Sequence, residues 1–233
     1  MSQYDNVYNP AAVKERTILK NVYLWMTAGL GLTAVVAWWF SGNLALMQAF
    51  FSNPILFFGA IIGELVLVMV LSRQIMNMSA VTATVMFAAY AVLNGITLSS
   101  IFLVYTGATI SIAFFTTAAS FGAMSIYALS TKRSLQGIGH YLFMALIGLI
   151  VASLINFFLK SPALYYLISY AGVVIFLGLT AYDTQNILAM SRAYSGNVDE
   201  SDYMRLSIVG ALKLYLDFIN IFLFVLRIFG RRQ

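Results

Sequence analysis

The chain has few charged residues, no cysteine and a single histidine. Only 9% of its 233 residues are Asp, Glu, Lys or Arg, whereas soluble domains contain about 25%. With 61% hydrophobic residues, the composition excludes a soluble domain and predicts an integral membrane protein. The absence of cysteine excludes disulfide bonds and thiolate metal sites. Because no phosphate-binding loop, zinc signature or Ser/His/Asp arrangement is present, we expect no catalytic activity, no cofactor and no nucleic-acid partner.

Seven apolar runs are long enough to cross a membrane, which takes about 20 helical residues. The sequence therefore predicts an all-α integral membrane protein, a bundle of seven transmembrane helices in one membrane domain, residues 22–229. A polar N-terminal segment, residues 1–21, precedes it and a basic tail, 230–233, follows it. The predicted spans are Val22–Phe40, Pro54–Leu71, Ala80–Tyr105, Ile110–Ser130, Tyr141–Leu159, Ala163 to about Ala181 with a helical pattern continuing to about Ala193, and Leu206–Phe229.

Basic residues predict the orientation of the spans. Loops on the opposite side from the N-terminus hold only Lys160, so the positive-inside rule predicts a cytoplasmic N-terminus. An odd number of spans then sends Arg231 and Arg232 outside, whereas a re-entrant last segment would return them. We favour seven full spans, because the last run is long enough to cross. The loops on the N-terminal side carry Arg73, Lys132, Arg133, Arg192 and Arg205.

Two spans contain patterns typical of helix packing. Gly59 and Gly63 form a Gly-x-x-x-Gly motif in the second span, which predicts close approach of a neighbouring helix within the bundle. Tyr90, Asn94 and Thr97 repeat at helical spacing in the third span. This polar stripe predicts contacts between helices, with the lining of a path as the alternative.

Asp183 and Asp217 lie inside the sixth and seventh predicted spans, where an ionised carboxylate costs several kcal/mol. Measured from the side they share, Asp183 lies ~15 Å and Asp217 ~16 Å along its helix. Antiparallel neighbours at matching depth would bring the carboxyls together, and a shared proton would then tie the helices to each other. Its loss leaves like charges that repel or bind a hard cation such as Ca²⁺. The pair predicts a proton-sensitive gate or a cation site; local capping of each aspartate is the alternative.

Four other charged residues bear on this pair. Lys213 precedes Asp217 by four residues and either pairs with it, which would weaken proton sharing, or extends to the interface, which we favour. Arg73 closes the second span and is either a rival partner for Asp183 or an ordinary interfacial arginine. A carboxyl in mid-span needs a partner. By depth, Glu64 is predicted to form an ion pair with Arg227.

Two motifs resemble those of a known family. Gly178-Leu-Thr-Ala-Tyr-Asp-Thr-Gln is similar to the sixth-span signature of the transmembrane Bax-inhibitor-motif family, or Bax inhibitor family, and Leu214-Tyr-Leu-Asp-Phe-Ile-Asn to its seventh-span partner. The short N-terminus and tight loops resemble bacterial inner-membrane members. The resemblance implies a bundle with the last helix central, and a calcium leak controlled by a di-aspartyl pH sensor at Asp183 and Asp217.

The same resemblance assigns the other charged residues. Glu64 and Arg227 match an acidic residue in span two and an arginine late in span seven. Arg73 matches a span-two arginine, although the local spacing is looser. Lys213 departs from the small polar or apolar residue expected there.

Three functions follow from these residues. The leading one is a pH-sensitive Ca²⁺ leak in the inner membrane, with the bilayer, Ca²⁺ and protons as partners. An intramembrane aspartyl protease is disfavoured, because Leu214-Tyr-Leu precedes Asp217 where such proteases carry Gly-x-Gly, and no Pro-Ala-Leu follows. A non-conducting stress-protection regulator that binds other membrane proteins is the remaining alternative, and the sequence does not separate it from a leak.

Overall fold

A computed structural model of the chain describes residues 10–193 and 199–230. The predicted basic tail beyond Gly230 lies outside these residues. Within them the chain is helical, without strands, and two short 3₁₀ turns, Ile75–Asn77 and Gln136–Ile138, join helices. The α-helices are α1 (Pro10–Ser41), α2 (Leu44–Phe51), α3 (Pro54–Gln74), α4 (Ala80–Leu98), α5 (Ile101–Val104), α6 (Gly107–Ser130), α7 (Gly139–Leu159), α8 (Pro162–Ala193) and α9 (Glu200–Phe229).

Seven candidate membrane spans among the described residues confirm the predicted all-α membrane bundle. The largest differences from the predicted bounds are at two helix starts: α1 begins at Pro10 rather than Val22, and α9 begins at Glu200 rather than Leu206. A helix needs apolar side chains only inside the hydrocarbon, so its polar flanking turns remain helical. α8 continues to Ala193, as the longer pattern predicted.

Two short helices were not predicted. α2 follows Asn43, whose side chain accepts a hydrogen bond from the Leu46 backbone N–H at 3.1 Å and so caps the new helix. The predicted third span is interrupted between α4 and α5. There the hydroxyl of Ser99 donates to the Ile96 carbonyl at 2.6 Å and that of Ser100 donates to the Thr97 carbonyl at 3.2 Å. These side chains compete for carbonyls that a continuous helix would use.

One compact unit, unit 1, comprises the described residues up to Leu103 together with Ile187–Tyr215. α3 and α1 pack against α4 within it. The start of α9 is attached to the turn between α3 and α4 by Arg205, whose guanidinium donates to the carbonyls of Met76 at 2.7 Å and Met78 at 3.1 Å. Arg205 also pairs with Asp202. This arginine, predicted only as a topological signal, therefore holds the first turns of α9.

The second unit, unit 2, comprises Val104–Asn186 and the described residues from Leu216 onward. Glycines of α8 permit close packing against α7 and α9 there. A Cβ on Gly178 would lie 2.8 Å from Cδ2 of Leu142, and one on Gly172 would lie 2.6 Å from the Phe224 ring. α8 and α9 therefore pack closely at Gly172 within this unit.

α9 is the most buried of the seven spans. Of its most apolar window, 67% is buried, against at most 33% in any other span. Such burial is what a central last helix requires, since a helix at the edge of a bundle exposes one side to lipid. Its side chains include Tyr215, with no exposed surface, and Asp217, with 4%. The site therefore lies on the helix that other parts of the chain cover best.

Among the glycines of unit 1, the closest approach to the backbone of another helix occurs at Gly95, not at the predicted Gly-x-x-x-Gly motif. A Cβ on Gly95 would lie 2.8 Å from the Thr33 carbonyl oxygen and 2.8 Å from Cβ of Val36. On Gly59 it would meet nothing within 4 Å, and on Gly63 only a Leu93 methyl group at 3.6 Å. The motif lies on α3, of which only 11% of the apolar window is buried.

We expect Gly95→Ala to lower the free energy of unfolding by about 1–3 kcal/mol, because the added methyl group meets backbone of α1 that cannot turn aside. Denaturant unfolding in detergent micelles measures this. Gly59→Ala is the matched control, since it places the same group in open space and should be neutral or stabilising by up to about 1 kcal/mol. Equal losses in both variants would contradict the packing described for Gly95.

Gln185 joins the loop between α6 and α7 to α8. Its side-chain oxygen accepts from the Leu135 N–H at 2.8 Å, and its amide donates to the carbonyls of Arg133 at 3.0 Å and Ala128 at 3.3 Å. Gln185 follows Asp183 by two residues. These three bonds therefore fix α8 next to the candidate site.

In Gln185→Leu we expect the Leu135 amide to exchange hydrogen about ten- to a hundredfold faster, because its buried donor loses its acceptor. Hydrogen exchange with mass spectrometry measures the rate over residues 131–138. Gln136→Leu, in the same loop but on an exposed side chain, should leave the rate near that of the unaltered protein. Slow exchange retained in Gln185→Leu would show that another group protects the loop.

Candidate functional site: two buried aspartates on α8 and α9

Both predicted aspartates are buried in unit 2. Asp183 is 9% exposed and Asp217 is 4% exposed. Asp183 follows buried Ala181 on α8, and Asp217 precedes buried Phe218 on α9. A carboxyl group in such surroundings is stable only when it is protonated, paired or bound to a cation.

A contact between two phenylalanines sets the register of the aspartates. The rings of Phe176 on α8 and Phe224 on α9 pack with centroids 6.0 Å apart. Asp183 follows Phe176 by seven residues, and Asp217 precedes Phe224 by seven. Seven residues are about two helical turns, or ~10 Å, so each aspartate projects from the same side of its helix as its phenylalanine. Antiparallel packing of α8 and α9, which the sequence predicts, would bring both aspartates to the same level on facing sides.

α6 packs beside the aspartate of α9. The ring of Phe218 lies between Phe114 and Phe121, at centroid distances of 5.7 and 5.5 Å. Phe114 and Phe121 are also seven residues apart, and Thr117 lies between them on the buried side of α6. Thr117 therefore faces the part of α9 that carries Phe218, next to Asp217.

Three buried hydroxyl groups of unit 2 make no hydrogen bond within the described residues: those of Thr117, Ser125 and Thr184. Each side chain is at most 5% exposed. Elsewhere the chain satisfies such groups locally, by donation to the carbonyl one turn earlier, as Thr180 and Ser169 do at 2.8 Å. Buried polar groups rarely remain unpaired. These hydroxyls are therefore available to water or to a cation.

Lys213 and Arg73, the predicted rival partners, both lie in unit 1. Lys213 is half-buried and lines a small cavity with Met190, Ser191 and Gly210. Arg73 is exposed on the last turn of α3. Pairing of Lys213 with Asp217, and of Arg73 with Asp183, stays a prediction.

Glu64 and Arg227 each have partners within their own unit. Glu64 accepts from the Thr97 hydroxyl at 2.8 Å and from the Asn94 amide at 3.3 Å. The Arg227 guanidinium lies over the rings of Phe224, at 5.3 Å, and Tyr165, at 5.9 Å. These are cation–π contacts. An ion pair between Glu64 and Arg227 stays a prediction.

The polar stripe of the third span contacts other helices, as its helical spacing predicted. Asn94 receives a hydrogen bond from the Tyr215 hydroxyl at 3.0 Å, and the Tyr90 and Tyr215 rings pack edge to face at 5.5 Å. Sequence reasoning missed Tyr215. The signal was present, because Tyr215 is a polar side chain two residues before Asp217 in the same apolar run.

The two carboxylates do not by themselves form a metal centre. The described residues contain no group of three or more His, Cys, Asp or Glu side chains placed to hold a metal ion. Ca²⁺ takes six to eight oxygen ligands. Contact of Ca²⁺ with Asp183 and Asp217 therefore stays a prediction, and hydroxyl groups or water would have to complete the coordination.

Comparison with known proteins shows what the chain resembles as a whole. It is 51% identical over 229 residues to the inner membrane protein YbhL of Escherichia coli strain K12, covering 98% of this chain and 97% of that protein. It is 40% identical over 231 residues to a membrane protein of Streptococcus pyogenes serotype M3, covering 97% and 98%. The model of the family described as inhibitor of apoptosis-promoting Bax1 matches residues 15–233. The chain belongs to the Bax inhibitor family of membrane proteins.

Proposed function

We propose that this protein is a pH-sensitive Ca²⁺ leak whose gate is a proton shared by Asp183 and Asp217. The observation that carries the proposal is the contact between Phe176 and Phe224. With α8 and α9 antiparallel, as the sequence predicts, this contact supports a position at one level, on facing sides, for the two buried carboxyls. Membrane interiors rarely tolerate one carboxyl without a role, and two in register are costlier still.

The shared proton acts as the closing element. One carboxyl donates its hydrogen to the other, and this charge-assisted bond holds α9 against α8. When the proton leaves, two negative charges repel across a short distance in surroundings of low dielectric constant. α9 is then pushed away from α8. Flux therefore rises as the pH rises through the titration of the pair.

The hydroxyls of Thr117, Ser125 and Thr184, which have no hydrogen-bond partner among the described residues, support a path for a hydrated cation. Hydroxyl and carboxylate oxygens are ligands that Ca²⁺ prefers. Thr184 adjoins Asp183 in α8, and Thr117 faces α9 beside Asp217. Opening at the aspartates would give the ion oxygen ligands on α6, α8 and α9.

Flux measurements on the purified chain test the gate. In proteoliposomes containing a calcium-sensitive dye, we expect Ca²⁺ entry to rise by up to about tenfold per pH unit across the titration range. Asp183→Asn/Asp217→Asn should lose this pH response, because amides do not titrate there.

Asp199→Asn is the control, since Asp199 is exposed at the start of α9 and should leave the response unchanged. A pH response retained in the double variant would contradict the proposed aspartyl gate. Absence of flux in every variant, with a stoichiometric membrane-protein partner in the purified sample, would favour a non-conducting regulator.

The chain resides in the inner membrane with its N-terminus in the cytoplasm. Two observations support this placement: the relative YbhL is named an inner membrane protein, and basic residues concentrate in the loops on the N-terminal side. Lys160 is the exception on the other side. The gate then opens a path between the cytoplasm and the space outside it.

The absence of cysteine makes this orientation directly testable. In intact spheroplasts, a membrane-impermeant maleimide should label Ala108→Cys, at the start of α6, and should label Ser134→Cys, in the loop after α6, only after permeabilisation. Both positions are exposed, so each serves as the other's control. The reverse labelling pattern would invert the orientation.

A further inference from the structure

Four polar side chains of unit 1 form a continuous hydrogen-bonded series, the Glu64 chain, that reaches from α3 to α1. Glu64 Oε2 lies 3.3 Å from the Asn94 amide nitrogen, and the Asn94 oxygen lies 3.0 Å from the Tyr215 hydroxyl. That hydroxyl lies 2.7 Å from Thr33 Oγ1, which is 2.8 Å from the Ala91 carbonyl oxygen. Asn94 is 7% exposed, Thr33 4% and Tyr215 0%. The hydrogens must therefore come from the chain's own groups.

An ionised Glu64 leaves the Glu64 chain one hydrogen short. A carboxylate only accepts, so Asn94 donates to it and turns its oxygen toward Tyr215. Tyr215 must then donate its single hydrogen to Asn94. Thr33 has one hydrogen for two remaining contacts, with Tyr215 and with Ala91. One close contact between two oxygens is left without a hydrogen, and a buried contact of that kind is unfavourable.

A proton on Glu64 supplies the missing hydrogen. The Asn94 amide, turned by 180°, occupies the same space with its oxygen and nitrogen exchanged. Glu64 then donates to the amide oxygen and Asn94 donates to Tyr215. Tyr215 donates to Thr33, which donates to the Ala91 carbonyl. Every contact now holds one hydrogen, so the observed distances are fully satisfied only by the protonated acid.

We propose that Glu64 is a second proton-binding site, protonated in the arrangement described, and that loss of its proton turns the Asn94 amide and reverses the hydrogen bonds as far as Thr33. In the ionised state Thr33 keeps a hydrogen bond to only one of its two neighbours. α1 therefore loses this side-chain hydrogen bond either to Tyr215 on α9 or to Ala91 on α4. The site shares no residue with the aspartyl pair and does not depend on Ca²⁺ leakage. An ion pair with Arg227 requires a carboxylate, so the two arrangements exclude each other in one state.

The titratable neighbours of Glu64 are few. α3 packs against α4, α2 and the turn Ile75–Asn77. Of these, α4 contributes Tyr90, whereas α2 and the turn contain no titratable residue. α9 contributes Tyr215, and α3 itself carries Arg73 nine residues further on. The Thr97 hydroxyl lies 2.8 Å from the second carboxyl oxygen and 3.1 Å from the Asn94 carbonyl oxygen, and it can donate to the carboxyl in either protonation state.

Infrared spectroscopy of the full chain in lipid nanodiscs tests the proposal without any flux measurement. The protonated carboxyl C=O band that Glu64→Gln removes should be present at neutral pH, should disappear at higher pH, and should remain in Asp183→Asn/Asp217→Asn. In Thr33→Val the titration of this band should move to lower pH by about one unit, a tenfold change in the proton equilibrium. Without Thr33, every remaining contact of the ionised arrangement holds a hydrogen. The protonated arrangement, in contrast, leaves the Tyr215 hydroxyl hydrogen without an acceptor, so the ionised state is favoured.

Thr84→Val is the matched control, because Thr84 lies on α4 and its hydroxyl bonds only the Ala80 carbonyl in its own helix. Its band should titrate as in the unaltered protein. Tyr215→Phe, which breaks the Glu64 chain in the middle, should also shift the titration of the band to lower pH. This variant replaces Thr33→Val in the test if Thr33→Val does not fold. No Glu64 band at any pH would overturn the proposal, and its appearance only in Arg227→Gln would establish the ion pair instead. A midpoint unchanged in both Thr33→Val and Tyr215→Phe would equally overturn it.

Discussion

Helix α9 carries polar side chains into the most enclosed part of the described chain, and each must be satisfied there. Lipid offers no hydrogen bonds, so partners must come from the protein itself. For Tyr215 they are Asn94 on α4 and Thr33 on α1. Close approach makes these bonds possible: a Cβ on Gly95 would collide with α1. The packing of α1 against α4 and the hydrogen bonds of α9 therefore depend on each other.

Apolar packing, rather than attraction between the acids, determines where the two aspartates lie. Two like charges in hydrocarbon cost several kcal/mol, so ionised carboxyls would not approach each other unaided. Burial of a phenylalanine contributes about 1.5–3 kcal/mol, and a ring pair adds about 0.5–1.5 kcal/mol. The contacts of Phe224 and Phe218 with rings on α8 and α6 are together large enough to impose the register. The packing of these phenylalanine rings therefore determines the positions of the two aspartates along their helices.

Long apolar runs made the seven spans predictable, and Asn53-Pro54 marked the start of α3, where the Asn53 side chain accepts from the Ile55 N–H at 3.0 Å. α2 was not predictable because a run of eight mostly apolar residues does not distinguish a helix from a loop. Gln185 went unnoticed because its partners are backbone atoms, which no residue type encodes. The predicted ion pair between Glu64 and Arg227 rested only on their depth in the membrane. Depth could not reveal that two polar residues of α4 already face that carboxyl.

Tyr215 and Asp217 are two residues apart, so their side chains leave α9 about 200° apart, on nearly opposite sides. Tyr215 belongs to the Glu64 chain, whose other members also lie in unit 1. A rotation of α9 by ~20° would move a side-chain tip ~6 Å from the axis by ~2 Å, more than a hydrogen bond tolerates. As long as this stretch remains helical, α9 therefore cannot rotate without straining the contacts of Tyr215.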